Sequence, residues 1–77
     1  MSNVRQIAEV YAKKVGYDTV RPAGVKYNTS YFHAFNQSSI GHKTGLPHII
    51  KIKAGQISVV KNLKERMWAV KEEVKLL

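Results

Sequence analysis

The residues with the most evident chemistry in this sequence are cations, and they are concentrated in its middle. Between residues 19 and 64 there are seven lysines and arginines and all three histidines, but no acid. The net charge of the chain is +8, and its acids are Glu9, Asp18, Glu65, Glu72 and Glu73. A long stretch of one sign attracts polyanions. The sequence therefore favours RNA or DNA as the partner, and the alternative is a charge that only promotes solubility.

Lysines and aromatic residues occupy alternate positions in segments that look like β-strands. This combination suits single-stranded nucleic acid, because aromatic rings stack on bases and ammonium groups contact phosphates. We predict a nucleic-acid-binding site in which an open sheet face presents phosphate-contacting cations and one base-stacking ring, and its residues are Arg21, Lys26, Tyr31, Lys43, Lys51 and Lys53. The alternative is that the aromatic rings belong to the core and the lysines are only solvated.

A second candidate surface lies along the last predicted helix. Lys64, Trp68, Lys71 and Lys75 recur at spacings of four, three and four residues, which places them on one helical face. Tryptophan beside basic residues is typical of protein interfaces. We therefore predict that Lys64, Trp68 and Lys71 could bind an acidic protein surface, as a small regulator or inhibitor of the phage type would. The alternative is that Trp68 packs on the sheet and the lysines pair with acids of the same helix.

Catalysis has less support in this sequence. His33, His42 and His48 are the central groups that titrate near neutrality, and no acid lies near them in the chain. The segment from Ser38 to Gly45 has two glycines, but their spacing fits neither a Walker A loop nor a dinucleotide fingerprint. We expect no catalytic residue, no metal and no cofactor. Phosphodiester cleavage by histidine and lysine without a metal remains chemically open.

Two short stretches resemble parts of nucleic-acid enzymes. The segment Gly45-Leu46-Pro47-His48 resembles the Gly-x-Pro-Asp segment of metal-dependent PD-(D/E)xK nucleases, with histidine in place of the metal-binding aspartate. Gly16-Tyr17 and Gly24, which follow the first helix, are similar to the start of HicA-type RNA-cleaving toxins, whose Ser-His pair is replaced here by Val25-Lys26. This second likeness implies RNA cleavage, which is a further alternative. The element order also resembles the double-stranded-RNA-binding fold.

The clearest structural signal is a hairpin over residues 47–61. Apolar and polar residues alternate on both sides of a turn at Ala54-Gly55, which pairs Lys53 with Gln56 and Ile50 with Val59. A helix is predicted over Val4–Val15, with Asn3 as its N-cap and Gly16 as its stop. The second helix should begin after an Asn62 cap and end near Leu76, with an apolar stripe that packs on the sheet and consists of Leu63, Met67, Val70, Val74 and Leu77.

Between the first helix and the hairpin, residues 31–35 form a predicted strand. Residues 17–21 are a weaker candidate, because Pro22 and Gly24 should break or bulge it. We predict an α+β fold of the two-layer α-β-β-β-α type, with an antiparallel three-stranded sheet and both helices packed on one face. The chain should form a single domain over residues 1–77. We expect it to be cytoplasmic, because no signal peptide or membrane span is visible in the sequence. Whether two copies form a homodimer is left open.

Overall fold

The computed structural model describes residues 4–37 and 48–76 and contains two helices and four strands. In chain order these are α1 (Val4–Lys14), β1 (Thr19–Lys26), β2 (Thr29–Phe35), β3 (His48–Lys53), β4 (Gln56–Val59) and α2 (Leu63–Leu76). The α+β class is confirmed, but the sheet has four strands where three were predicted. The predictions for Lys43, for the segment Ser38–Gly45 and for the Asn3 cap lie outside the described residues.

The strands form an antiparallel meander in the order β1-β2-β3-β4. The predicted register of the last hairpin is confirmed: Lys53 pairs with Gln56, and Ile50 pairs with Val59. Its two turn residues, Ala54 and Gly55, have φ values of 52° and 79°. Positive φ at both central positions is typical of the two-residue turns that match the twist of the flanking strands.

The fourth strand arises because β1 continues through the predicted break. Its register with β2 shifts between Pro22 and Val25, where two residues of β1 lie opposite the single residue Tyr31 of β2, so that β1 carries one extra residue. Pro22 is tolerated because β1 is an edge strand, on which a missing N–H donor need not interrupt the sheet. Gly24, at a φ of 106°, supplies the left-handed conformation of the bulge.

The two helices lie on opposite faces of the sheet, so the predicted two-layer arrangement with both helices on one face is wrong. Phe32 and Ile50 belong to the cluster that packs against Ala8 and Ala12 of α1. Their neighbours in sequence, Tyr31 and Ile49, belong to a second cluster that contains Ala69 and Trp68 of α2. Since successive strand residues point to opposite faces, α1 and α2 cover different sides. The result is three layers, helix-sheet-helix.

The second helix also faces the sheet with a different side from the predicted one. Of the apolar stripe, Val70 packs against the core as predicted. Leu63, Met67 and Val74 are instead 55%, 54% and 64% exposed, whereas Ala69 and Glu73 are buried. The sheet face under α2 is lined partly by polar side chains, which explains why polar residues of the helix turn toward it. Among the described residues, no helix is long and apolar enough to cross a membrane.

Candidate functional site

Three of the predicted phosphate-contacting lysines lie together at one end of the sheet. The strand register places Lys26, Thr29, Lys53 and Gln56 in one row across the four strands, on the face that α2 covers. Lys51 lies two residues before Lys53 on the same face. Strand spacing puts the backbones of Lys26 and Lys53 about 10 Å apart, and those of Lys51 and Lys53 about 7 Å apart. We call Lys26, Lys51 and Lys53 the basic end.

The second helix crosses the strands and brings further lysines toward this end. Glu65 contacts Lys51 on β3, Trp68 contacts Tyr31 on β2, and Glu72 lies close to Gly24 on β1. Lys64 and Lys71 are exposed and lie one turn before and one turn after Trp68, on the side of α2 nearer to the basic end. The helix therefore extends the positive surface away from the sheet.

Glu65 is the acid that lies inside this basic region, and its charge is held by two partners. Its carboxylate accepts a hydrogen bond from the Tyr31 hydroxyl, and the Lys51 ammonium lies 3.3 Å from it. The Tyr31 hydrogen bond lowers the pKa of Glu65 below its usual range, with help from Lys51 and Lys26 and against the opposing effect of burial. Burial, together with Glu65, raises the pKa of Tyr31 to about 12.

Tyr31 does not stand on an open sheet face as predicted. Its side chain is only 3% exposed, and its ring meets Trp68 edge-on at a centroid distance of 5.0 Å. The expectation of an open face is wrong because α2 covers the side of the sheet that α1 leaves free. Tyr31 therefore contacts Glu65 and Trp68 underneath α2 and does not present its ring to a base.

Trp68 is half-buried and lies beside a cation. The Lys26 ammonium is 4.1 Å from the centre of the indole ring and 5.9 Å from the centre of the Tyr31 ring. A cation over an aromatic face is attracted by the negative face of the ring. Lys26 and Trp68, which were predicted to belong to separate sites, are thus brought into one cluster.

Among the described residues, the remaining predicted cation, Arg21, is not part of the basic end. Arg21 pairs with His33 on the other side of the β1 bulge, and its guanidinium lies 5.0 Å from the centre of the Phe35 ring. Lys43 lies outside the described residues. Of the five predicted basic contacts, the structure therefore brings together Lys26, Lys51 and Lys53.

The remaining acids have partners of their own within the fold. Glu73 bonds to His33 at 2.8 Å, Glu72 pairs with Lys75 at 3.0 Å, and Glu9 pairs with Arg5 at 3.8 Å. Asp18 accepts hydrogen bonds from the Thr19 hydroxyl and the Gln37 N–H, which lower its pKa. Every acid of the chain thus has a partner, and most of the excess positive charge lies on exposed lysines.

The two described histidines occupy different environments. His33 bonds to the nearly buried Glu73, whereas His48 stacks on Tyr17 at a centroid distance of 4.9 Å. Burial lowers the pKa of His48, and the charges of Arg66 and His33 add to this effect. Within residues 4–37 and 48–76, no three histidines or acids are grouped so that they could hold a metal ion.

Glu65 is the residue of this region that sequence reasoning placed incorrectly. Its position three residues after Asn62 predicts a reciprocal capping box. The cap is half formed: the Asn62 side chain accepts from the Glu65 N–H at 3.1 Å, but the Glu65 carboxylate turns to Tyr31 and Lys51. The sequence carried no local signal for this long-range contact.

Comparison of the chain with protein-family models, curated proteins and solved structures finds no match.

Proposed function

We propose that this protein binds nucleic acid, through phosphate contacts made by the basic end of the sheet and extended by Lys64 and Lys71. The observation that carries the proposal is the strand register, which gathers Lys26, Lys51 and Lys53 on one face at one end of the sheet. At backbone spacings of about 7 and 10 Å, the long, flexible lysine side chains can reach neighbouring phosphates of one strand. Backbone contact of this kind selects for charge and not for base sequence.

The charge distribution supports the same proposal. Glu65 is the acid in contact with this region, and it already has two donors. Among the described residues, Lys53, Lys64 and Lys71 have no acidic partner. Exposed ammonium groups without an internal partner can displace counterions from a phosphate backbone, which is the main source of affinity in sequence-independent binding. Base stacking on Tyr31 is not part of the proposal, since that ring is buried.

The test is a fluorescence anisotropy titration of labelled single-stranded RNA, single-stranded DNA and duplex DNA at three salt concentrations. We expect binding that weakens with salt by a log–log slope of about 0.7–0.9 for each phosphate engaged. The double variant Lys26→Gln/Lys53→Gln should lower that slope by about 1.4–1.8, because two phosphate contacts are lost. The strand type with the tightest binding then identifies the preferred nucleic acid.

A matched control comes from α1, on the opposite face of the molecule. Lys13 and Lys14 are exposed at the end of that helix, and Lys13→Gln/Lys14→Gln removes the same two charges. An equal loss of affinity in the control would mean that net charge and not the basic end is responsible, and binding that is absent at low salt would remove the proposal altogether. Gel analysis of the recovered RNA tests the cleavage alternative, because a binding module returns the probe intact.

A further inference from the structure

The outward side of α2 carries two parallel rows of different chemistry. One row is apolar: Leu63, Met67 and Val74 are each more than half exposed. At 100° per residue, Met67 and Val74 lie within about 40° of Leu63 around the helix, whereas Lys71 and Lys64 lie about 80° and 100° away on one side. The apolar row is therefore bordered along its length by exposed lysines.

The apolar row has the spacing of a helix-pairing seam. Leu63, Met67, Val70 and Val74 recur at intervals of four, three and four residues, and this alternation is what knobs-into-holes packing between helices requires. In the folded chain Val70 is partly buried against the core under α2, but Leu63, Met67 and Val74 do not meet the sheet, because Ala69 and Glu73 occupy that side. Exposed apolar residues in a contiguous line are typical of an interaction site.

We propose that this face of α2 docks an amphipathic helix of another protein, one whose apolar seam is bordered by aspartate or glutamate. The apolar row would pack against the seam of the incoming helix, and Lys64 and Lys71 would face its acids. Flanking charges of this kind set the partner and the orientation in paired helices. The proposal concerns a second surface, which shares Lys64 and Lys71 with the nucleic-acid surface but has its own apolar row, and it does not depend on nucleic-acid binding.

The same charges argue against a second copy of this chain as the occupant. If α2 packed antiparallel on α2 of another copy, the flanking positions would place Lys64 against Lys71. Parallel packing would place Lys71 against Arg66, whose guanidinium donates to the Val60 carbonyl at 3.0 Å. Both orientations bring like charges together, which disfavours self-association. A helix bordered by acids would remove this repulsion, because its apolar seam would pack on the apolar row and its acids would pair with Lys64 and Lys71.

The probe is a fluorescein-labelled peptide of three heptads with leucine at the seam positions and glutamate at both flanking positions. A peptide of the same design with lysine in place of glutamate is the charge-reversed comparison. Anisotropy should show saturable binding of the acidic peptide and none of the basic one. Met67→Gln should weaken binding roughly tenfold or more, because a seam residue becomes polar. Lys64→Gln/Lys71→Gln should weaken it severalfold and reduce its salt dependence.

Val10→Gln is the matched control, because Val10 is a 65% exposed valine on α1, away from the seam. It should leave peptide affinity within twofold of the original value. The proposal is overturned if the acidic peptide does not saturate, if the basic peptide binds equally well, or if Met67→Gln binds like the original. Concentration-dependent dimers in sedimentation experiments that Met67→Gln abolishes would assign the seam to a second copy. Seam-dependent binding to phosphatidylserine vesicles without peptide binding would assign it to a membrane surface.

The two proposals fail separately. Met67→Gln should not alter the salt slope of nucleic-acid binding, since Met67 has no charge and does not belong to the basic end. Lys26→Gln/Lys53→Gln should not alter peptide affinity, since neither lysine borders the seam. If Met67→Gln changed the salt slope of nucleic-acid binding, or if Lys26→Gln/Lys53→Gln changed peptide affinity, the two surfaces would have to act as one.

Discussion

At the scale of single residues, the contact between Tyr31 and Glu65 connects the sheet to the second helix. The two residues are 34 positions apart, and Tyr31 belongs to the core cluster under α2. The hydrogen bond gives the buried Tyr31 hydroxyl an acceptor and gives the Glu65 carboxylate a donor in addition to the Lys51 ammonium. Hydrogen bonds to charged groups are stronger than neutral ones, and a buried partner left alone costs its desolvation energy. This contact should therefore be visible in stability measurements.

Replacing Tyr31 by phenylalanine should lower the free energy of unfolding by about 1.5 kcal/mol at pH 7, because Glu65 keeps only Lys51 as its partner. Urea unfolding followed by Trp68 fluorescence measures this change. Tyr27→Phe is the matched control, since that ring is 84% exposed. A loss in the control as large as that in Tyr31→Phe would contradict the role assigned to the hydrogen bond.

The raised pKa of Tyr31 adds a prediction at high pH. A folded-state pKa above the usual 10.0, at about 12, means that the unfolded chain loses its phenolic proton first. The corresponding stability is present below pH 10 and is lost as the pH rises through 12. A pKa difference of about 2 units corresponds to a free energy on the order of 3 kcal/mol. Lysine deprotonation lowers the stability of the original chain and of the Tyr31→Phe variant alike, so the variant serves as the reference. Between pH 10 and 12 the original chain should lose more unfolding free energy than the variant. Parallel plots of unfolding free energy against pH would contradict the assignment.

At the scale of secondary-structure elements, the bulge in β1 sets how closely α2 approaches the sheet edge. A Cβ atom added at Gly24 would lie 2.8 Å from Cβ of Glu72 and 3.3 Å from the indole ring of Trp68. The φ of 106° is also unfavourable for any other residue. Glycine at this position therefore serves both the backbone conformation and the helix contact.

Gly24→Ala should cost about 2–4 kcal/mol of unfolding free energy, since steric overlap adds to backbone strain. Gly55→Ala provides the comparison, because Gly55 also has a positive φ of 79° but has no atom within 4 Å of the added Cβ. Its loss should be about 1–2 kcal/mol, from strain alone. Chemical denaturation of both variants measures the difference, and equal losses would show that α2 does not press on the bulge.

Local patterns predicted most of the elements but not their arrangement. The register of the last hairpin and the bounds of α2 follow from alternation, a turn dipeptide and an N-cap, all of which are short-range features. The rotation of α2 depends on what it packs against, and here the sheet face under it contains Tyr31, His33 and Lys51. Polar partners for these residues, 14 to 40 positions away, have no local signature. The open face predicted for the binding site was wrong for the same reason.

The rotation of α2 can be tested through stability. Met67→Gln should change the free energy of unfolding by less than about 0.5 kcal/mol, because the side chain is exposed. Ala69→Leu should cost about 1–3 kcal/mol, because Ala69 is fully buried and the added carbons have no room. Thermal or urea unfolding compares the two. The reverse order, with Met67 sensitive and Ala69 tolerant, would mean that the apolar stripe faces the sheet after all.

At the scale of the whole molecule, stability should be concentrated in the two central strands. β2 and β3 have hydrogen-bonded neighbours on both sides, and residues of both strands are buried on the two faces, as Tyr31 with Phe32 and Ile49 with Ile50 show. In contrast, α1 buries two alanines, Ala8 and Ala12, and leaves Val10 exposed. Its larger apolar side chains, Ile7 and Tyr11, are only partly buried against the core. The loss of α1 should therefore require less free energy than the loss of the central strands.

Native-state hydrogen exchange should therefore resolve a hierarchy. Amides of residues 31–34 and 49–52 should exchange only through global unfolding, at the free energy that denaturation gives. Amides of α1 should exchange through a smaller opening, whose free energy should be lower than that of global unfolding by about 1 kcal/mol or more. Measurement at several low urea concentrations separates the two, because a local opening exposes little surface and depends weakly on urea. If α1 exchanged with the same free energy and urea dependence as the central strands, α1 and the sheet would form one cooperative unit, which would contradict the hierarchy.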